Sequence, residues 1–118
     1  MKPVNVALIG CGTVGGGVAE ILLHRTENIQ WRLGALLNLS AAVDLRIGEL
    51  KDHLGLPETV TCTTDYQTVI DNPDIDIVVE LMGGIHPALE VVTGALSSGK
   101  DVVTANKALL AEHGNELF

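Results

Sequence analysis

A short glycine motif near the start of the chain, Gly10–Gly15, constrains the fold more than any other feature of the sequence. It reads Gly-Cys-Gly-Thr-Val-Gly, follows the apolar run Val4–Ile9, and leads into a helical pattern of apolar residues. Gly10 allows a tight turn out of a strand, Gly12 lets the backbone approach a pyrophosphate, and Gly15 lets a helix pack closely on a sheet. The context therefore predicts a dinucleotide-binding βαβ unit with phosphates at the amino end of the helix. The alternative is a βα turn that binds no ligand.

The rest of the chain predicts alternating strands and helices without an internal repeat. Predicted strands cover residues 4–9, 37–43, 60–63, 76–81 and 102–103. Predicted helices begin near residue 13 and then cover 28–33, 47–54, a short piece ending at 70, 87–98, and 107 to the end. The apolar face of the first helix is predicted to consist of Val14, Val18, Ile21 and Leu22. This alternation predicts an α/β fold, a doubly wound parallel sheet of about five strands with helices on both faces.

Composition supports this fold class and excludes several functions. The 118 residues suffice for one nucleotide-binding domain, 1–118, and leave nothing for a separate substrate domain. Hydrophobic residues make up 47% of the chain and aromatic residues only 3%, as expected for the aliphatic core of a parallel sheet. The net charge of −8 disfavours nucleic acid and anionic membranes as partners.

Cysteine and histidine usage predicts neither a disulfide framework nor a metal site. Cys11 and Cys62 have no ligand spacing, and the four histidines are scattered along the chain. We interpret Cys11 as a small structural residue within the glycine motif. The start of the chain lacks a signal-peptide pattern, and no apolar run reaches membrane-spanning length, so a reducing cytoplasm is expected.

Ligands of doubly wound sheets bind beyond the carboxyl ends of the strands, which directs attention to the turns that follow them. Asp44 follows the second strand, where an acidic residue accepts both ribose hydroxyls of NAD and repels the extra phosphate of NADP. Arg46 could instead bind that phosphate, and Asp44 could merely cap the following turn. The acidic residue comes first, which favours NAD over NADP.

Three further residues stand at the ends of the fourth and fifth strands. Glu80 interrupts an apolar strand and needs a partner if ionised. It is either an acid near the nicotinamide or a structural carboxylate bonded to a neighbouring backbone or cation. Gly83 offers backbone amides without bulk to the nicotinamide ribose, or belongs to a plain turn. Lys107 could polarise a carbonyl or stabilise an alkoxide, the alternative being a solvated surface charge.

Three segments resemble the amino-terminal NAD(P)-binding domain of homoserine dehydrogenases. They read VALIGCGTVG at 6–15, DIVVELMGG at 76–84 and ALSSGKDVVTANKALLA at 95–111. The last two are more specific than the glycine motif, because dinucleotide-binding folds in general lack them. The resemblance implies reduction of L-aspartate 4-semialdehyde to L-homoserine with NADH or NADPH, on the route to threonine and methionine.

The resemblance also implies roles for individual residues. Lys107 would be a catalytic or substrate-orienting cation where nicotinamide and substrate meet. Together with the positional argument, the expected cofactor-binding residues are Gly10, Gly12, Thr13, Val14, Gly15, Asp44, Gly83, Thr104 and Lys107. Many members carry a basic residue after the second strand, whereas this chain places Asp44 there, which leaves the choice between NAD and NADP open.

The family's second domain is absent from this chain. In the family, that domain supplies most substrate contacts, a second catalytic lysine, acidic substrate-binding residues and the dimer interface. We therefore expect this chain to bind cofactor without turnover by itself, and the complete enzyme to be a homodimer or tetramer acting on a small-molecule substrate. Two alternatives are the cofactor domain of another two-domain sugar or amino-acid dehydrogenase and a non-enzymatic NAD(H)-sensing module.

Overall fold

The computed structural model of the chain describes residues 3–24 and 36–117, and the predicted helical segment 28–33 lies outside them. The strands are β1 (Pro3–Ile9), β2 (Leu36–Val43), β3 (Thr61–Thr63), β4 (Ile77–Glu80) and β5 (Asp101–Thr104). The helices are α1 (Thr13–His24), α2 (Ile47–Leu54), α3 (Gln67–Ile70), α4 (Ala88–Ser97) and α5 (Lys107–Leu117). Strands and helices alternate as the sequence predicts.

All five strands are parallel and form one sheet in the order β3-β2-β1-β4-β5. The winding direction reverses between β1 and β4, which is the switch point of a doubly wound sheet. The carboxyl ends of the strands are in register, since Ile9 pairs with Val43 and Glu80, and Glu80 pairs with Thr104. The turns singled out by the sequence therefore leave the sheet side by side along one edge, called here the carboxyl edge.

Apolar clusters cover both faces of the sheet. Helices α1 and α2 pack on one face, where the buried side chains are Val6, Leu8, Cys11, Ala19, Leu22, Leu39, Ala42, Ile47 and Val60. Helices α3, α4 and α5 pack on the other face, with Ala7, Ile9, Val78, Val91 and Leu109 among the buried residues. The predicted fold class, an α/β sheet with helices on both faces, is confirmed. Among the described residues, no helix combines the length and apolar character needed to cross a membrane.

The buried stripe of α1 differs from the predicted one. Ile21 is 44% exposed, whereas Ala19 and Leu22 are buried. The buried positions continue the row that begins at Gly15, at the i, i+4 and i+7 spacing of one helix face. The prediction for Ile21 was wrong because small residues, which carry little hydrophobic signal, form the part of α1 nearest the sheet.

A bulge in β2 changes which residues share a face. Val6 pairs with Leu39, but Ala7 pairs with Ala41, so Ser40 has no counterpart on β1. As a result Leu39 belongs to the cluster beneath α1, while Ala41 belongs to the cluster on the opposite face. The extra residue also brings the ends of β1 and β2 into register.

We predict opposite effects on stability from adding a methyl group at two glycines of α1. At Gly15 a Cβ would lie 2.1 Å from the carbonyl oxygen of Gly10, and at Gly17 it would meet no other part of the described structure within 4 Å. Gly15→Ala should lower the free energy of unfolding by about 3 kcal/mol or more, because backbone cannot rotate away from the clash. Gly17→Ala should raise it by about 0.5–1 kcal/mol through helix propensity. Urea unfolding of both variants measures the difference, and equal stabilities would contradict the close packing of α1.

Candidate functional site

The glycine motif forms a tight turn at the centre of the carboxyl edge. Gly10 has a left-handed φ of 95°, and its N–H donates to the carbonyl oxygen of Val43 at 2.8 Å. A Cβ on Gly10 would lie 3.0 Å from backbone atoms of Leu81 and Met82. The turn is therefore enclosed by the ends of β2 and β4, and a larger residue at position 10 would push these strand ends apart.

The backbone at the start of α1 faces open space. Gly12 is exposed, and within residues 3–24 and 36–117 only its immediate chain neighbours lie within 4 Å of the position that its Cβ would occupy. Helix α1 begins at Thr13, and the N–H groups of a first helical turn have no partner within the helix. An anion at this place would meet these N–H groups and the positive end of the helix dipole.

Asp44 connects the end of β2 to the glycine turn. Its Oδ2 accepts a hydrogen bond from the N–H of Cys11 at 2.8 Å, and its Oδ1 accepts one from the N–H of Arg46 at 2.9 Å. The bond from Arg46 caps the local turn, which is the capping role that the sequence analysis gave as an alternative for Asp44. The bond from Cys11 was not predicted. Each carboxylate oxygen retains a lone pair for a further donor, such as a ribose hydroxyl.

Arg46, the other candidate for contact with the ribose, extends into solvent. Its Nε lies 3.6 Å from Oε2 of Glu49, and both side chains are largely exposed. Such a surface ion pair contributes little to stability. The guanidinium group is consequently able to leave Glu49 for another anion at small energetic cost.

Cys11 is part of the core beneath α1. The residue is 1% exposed, and its Sγ lies 3.8 Å from the carbonyl oxygen of Val43. The pKa of Cys11 is raised to about 12, mainly by burial of the thiol and to a smaller extent by the nearby Asp44 carboxylate. The thiolate needed for nucleophilic attack is therefore scarce at neutral pH, which agrees with a structural interpretation.

Glu80 is completely buried at the end of β4, with 0% of its surface exposed. Its Oε2 accepts a hydrogen bond from the N–H of Met82 at 2.8 Å, and its Oε1 accepts one from the hydroxyl of Thr104 at 2.6 Å. Within residues 3–24 and 36–117 no cation pairs with it. The sequence left two interpretations of Glu80, an acid near the nicotinamide and a structural carboxylate. Its contacts are those of a structural carboxylate bonded to its neighbours.

Asn106 is a site residue that the sequence analysis did not single out. It is 6% exposed, and its side-chain amide donates to the carbonyl oxygen of Gly84. Its Oδ1 accepts from the N–H of Leu109 at 3.0 Å, which makes it the N-cap of α5. The signal was available, because asparagine directly before a helix is a common cap.

Gly83 and Lys107 are both exposed at the nicotinamide end of the predicted site. Gly83 and Gly84 have left-handed φ values of 76° and 72°. Lys107 is the first residue of α5, and its ammonium group makes no hydrogen bond or ion pair with any part of the chain that the structure describes. A cation at a helix amino end opposes the helix dipole. Local stability therefore does not explain this lysine, which is typical of a functional position.

The structure thus arranges the predicted site residues along one edge. Gly10–Gly15 and Asp44 form one half, and Gly83, Thr104 and Lys107 form the other. The side chains of Thr13 and Val14 lie outside the described part of the structure, although the backbone of both begins α1. No group of three or more potential metal ligands occurs among the described residues.

An apolar groove lies away from this edge. Its lining includes Pro3, Leu36 and Leu37 at the amino ends of β1 and β2, together with Leu22 and Leu23 near the end of α1. Because ligands of this fold class bind at the opposite ends of the strands, the groove is not part of the candidate site.

Comparison with known proteins supports the resemblance. Residues 10–118 match the family model described as homoserine dehydrogenase, NAD binding domain. The chain is 47% identical over 118 residues to homoserine dehydrogenase of Neisseria gonorrhoeae and 45% identical to that of Pseudomonas aeruginosa, and covers 26% of each relative. The chain thus spans about a quarter of the length of these relatives.

Solved structures agree with the sequence matches. The crystal structure of a homoserine dehydrogenase from Thiobacillus denitrificans superimposes with a TM-score of 0.87 at 45% identity, over 100% of this chain and 27% of the other. A levoglucosan dehydrogenase in complex with NADH superimposes with a TM-score of 0.69 at 25% identity, over 87% of this chain and 27% of the other. These matches agree with the glycine turn, the segment 95–111 and the sheet order, and the chain belongs to the family of homoserine dehydrogenase NAD-binding domains.

Proposed function

We propose that this chain is the NAD(P)-binding part of an enzyme that interconverts L-homoserine and L-aspartate 4-semialdehyde. The observation that carries the proposal is the open backbone at Gly12, set on the same edge as Thr104 and Lys107. A dinucleotide needs such an extended arrangement, with a phosphate site at the centre and a reactive end to one side. Family membership supports this assignment over a non-enzymatic NAD(H) sensor or a sugar dehydrogenase, although the related fold of a levoglucosan dehydrogenase also binds NADH.

The two halves of the edge would bind the two halves of the cofactor. The turn Gly10–Gly15, including the backbone of Thr13 and Val14, would hold the pyrophosphate through N–H groups and the helix dipole. Asp44 would accept hydrogen bonds from the adenine ribose. Gly83 and Thr104 would lie beside the nicotinamide half.

Lys107 would act on the substrate. When bound, the cofactor would supply a hydride for the aldehyde carbon, and the carbonyl oxygen would need a proton to complete the alcohol. The ammonium group of Lys107 would stabilise the negative charge that develops on this oxygen, or orient the aldehyde toward the cofactor. Its exposure leaves the ammonium group accessible from the edge.

The remaining substrate contacts are proposed to come from residues outside this chain. The relatives are about four times longer, so that a second domain has room to supply further catalytic and substrate-binding residues and a dimer or tetramer interface. Residues 1–118 would bind the cofactor without turning over alone. A cytoplasmic location also remains a prediction.

Adding a methyl group at Gly12 should weaken cofactor binding without unfolding the protein. The Cβ would enter open space in this chain but would occupy the room proposed for the pyrophosphate. Gly12→Ala is expected to raise the Kd for NADH by about tenfold or more, the scale of losing one close contact. Isothermal titration calorimetry measures the Kd, with Gly17→Ala as the matched control. Unchanged affinity in Gly12→Ala would place the pyrophosphate elsewhere.

The Asp44 carboxylate should make NAD+ bind more tightly than NADP+. Repulsion between this carboxylate and a 2′-phosphate is expected to separate the two Kd values by about tenfold. Titration of both nucleotides into the unmodified protein tests this directly, and tighter binding of NADP+ would refute the assignment. In Arg46→Ala the affinity for NAD+ should not change; a selective loss for NADP+ would show that Arg46 binds the phosphate.

In the full-length enzyme, Lys107→Ala should lower kcat by about 10²–10³-fold, the scale of removing one group that stabilises transition-state charge. The Kd for NADH should change little, because the pyrophosphate site is separate. Steady-state kinetics with aspartate semialdehyde measures kcat, and Lys51→Ala, which removes an exposed lysine of α2, is the control. An undiminished kcat would exclude a catalytic role for Lys107.

A further inference from the structure

The buried carboxylate of Glu80 joins the two turns that carry Gly83 and Lys107. One oxygen accepts from the N–H of Met82, just before Gly83, and the other accepts from the hydroxyl of Thr104 on the neighbouring strand. With the side chain 0% exposed, no solvent replaces either bond. Glu80 therefore couples the backbone after β4 to the side chain that ends β5.

The coupling continues from Thr104 to the start of α5. The Thr104 hydroxyl accepts a hydrogen bond from the N–H of Asn106 at 3.1 Å. The Asn106 side chain in turn donates to the carbonyl oxygen of Gly84 and caps α5 at Leu109. These bonds form a closed circuit between the two turns, called here the Glu80 network: Glu80, Thr104 and Asn106 with the backbone of Met82 and Gly84. Lys107 directly follows the last of its side chains.

Glu80 is the acceptor in both of its hydrogen bonds. Because the Thr104 hydroxyl donates to Oε1 of Glu80, its single proton is not available to a ligand. One acceptor lone pair of Thr104 remains after the bond from Asn106. Both bonds lie in the interior, where water does not compete for them, and together they hold the two turns in one arrangement.

We propose that Glu80 is a positioning residue, which acts through Thr104 to hold Gly83 and Lys107 in the arrangement needed at the nicotinamide end of the site. The proposal rests on the proposed function and adds to it a residue that touches neither cofactor nor substrate. Glutamine at position 80 has the same shape but carries a donor, which would turn the Thr104 hydroxyl away and reverse one bond of the Glu80 network. A carboxylate at this position thus matters for its acceptors as well as for its packing.

Kinetics of the full-length enzyme test this role. Glu80→Gln is expected to lower kcat about 10- to 100-fold, since misplacement by about 1 Å costs that much. The KM for NADH should change less than threefold. The Kd for ADP-ribose, which lacks nicotinamide, should equal that of the unmodified enzyme because the glycine turn is intact. Glu112→Gln, which removes an exposed carboxylate of α5, is the matched control.

A second pair of variants tests whether Glu80 acts through Thr104. Thr104→Val removes the hydroxyl, and Thr104→Ser retains it. The valine variant should lose kcat like Glu80→Gln, the serine variant should recover it, and the double variant Glu80→Gln/Thr104→Val should be no slower than the slower single variant. If Glu80→Gln does not fold, the valine and serine variants supply the same comparison.

Three outcomes would overturn the proposal. They are an unchanged kcat in Glu80→Gln or Thr104→Val, additive losses in the double variant, and a parallel loss of ADP-ribose affinity and kcat. The last would indicate a general structural defect. An unmodified enzyme that binds neither NADH nor ADP-ribose would instead contradict the proposed function, so the two failures are distinguishable.

Discussion

The carboxyl edge of the sheet depends on the contact between the first turn of α1 and the carbonyl oxygen of Gly10. Only the absence of a side chain at Gly15 permits this contact, since a Cβ would lie 2.1 Å from that oxygen. Helix α1 therefore starts directly over the end of β1, and its first N–H groups, which have no partner within the helix, lie at the sheet edge. Gly10 itself is enclosed by Val43 and by the backbone after β4, so three strand ends meet around one glycine.

Two carboxylates then hold the turns that surround this point. Asp44 joins the end of β2 to the glycine turn, and Glu80 joins the end of β4 to that of β5. Backbone N–H groups and a hydroxyl satisfy both, rather than cations. The chain has a net charge of −8 and few cations. Because the two acidic side chains at the edge are bonded to N–H groups and a hydroxyl, neither of them uses Lys107 as a partner. The lysine thus remains exposed at the end where the reactive half of a dinucleotide is proposed to lie.

Much of this organisation was predictable from local patterns. Strand and helix positions follow from periodicity, and Gly99, which directly follows the predicted helix 87–98, has a left-handed φ of 80° that is common at helix ends. The stripe of α1 was less predictable, because Ile21 carries more hydrophobic signal than the small residues that actually face the sheet. Lys100 illustrates the same limit. It is 6% exposed and donates to the carbonyl oxygens of Asn72 and Ile75, although lysine is usually a surface residue.

The amino-acid sequence alone was enough to specify the α/β class, the glycine turn and the family, because these depend on residues within a few positions of each other. The bulge at Ser40, the bond from Cys11 to Asp44 and the Glu80 network required the folded chain. Asp44 lies 33 positions from Cys11, and Thr104 lies 24 positions from Glu80. Partners at such separations are set by strand order and register, and a single residue of slip would send each side chain to the other face.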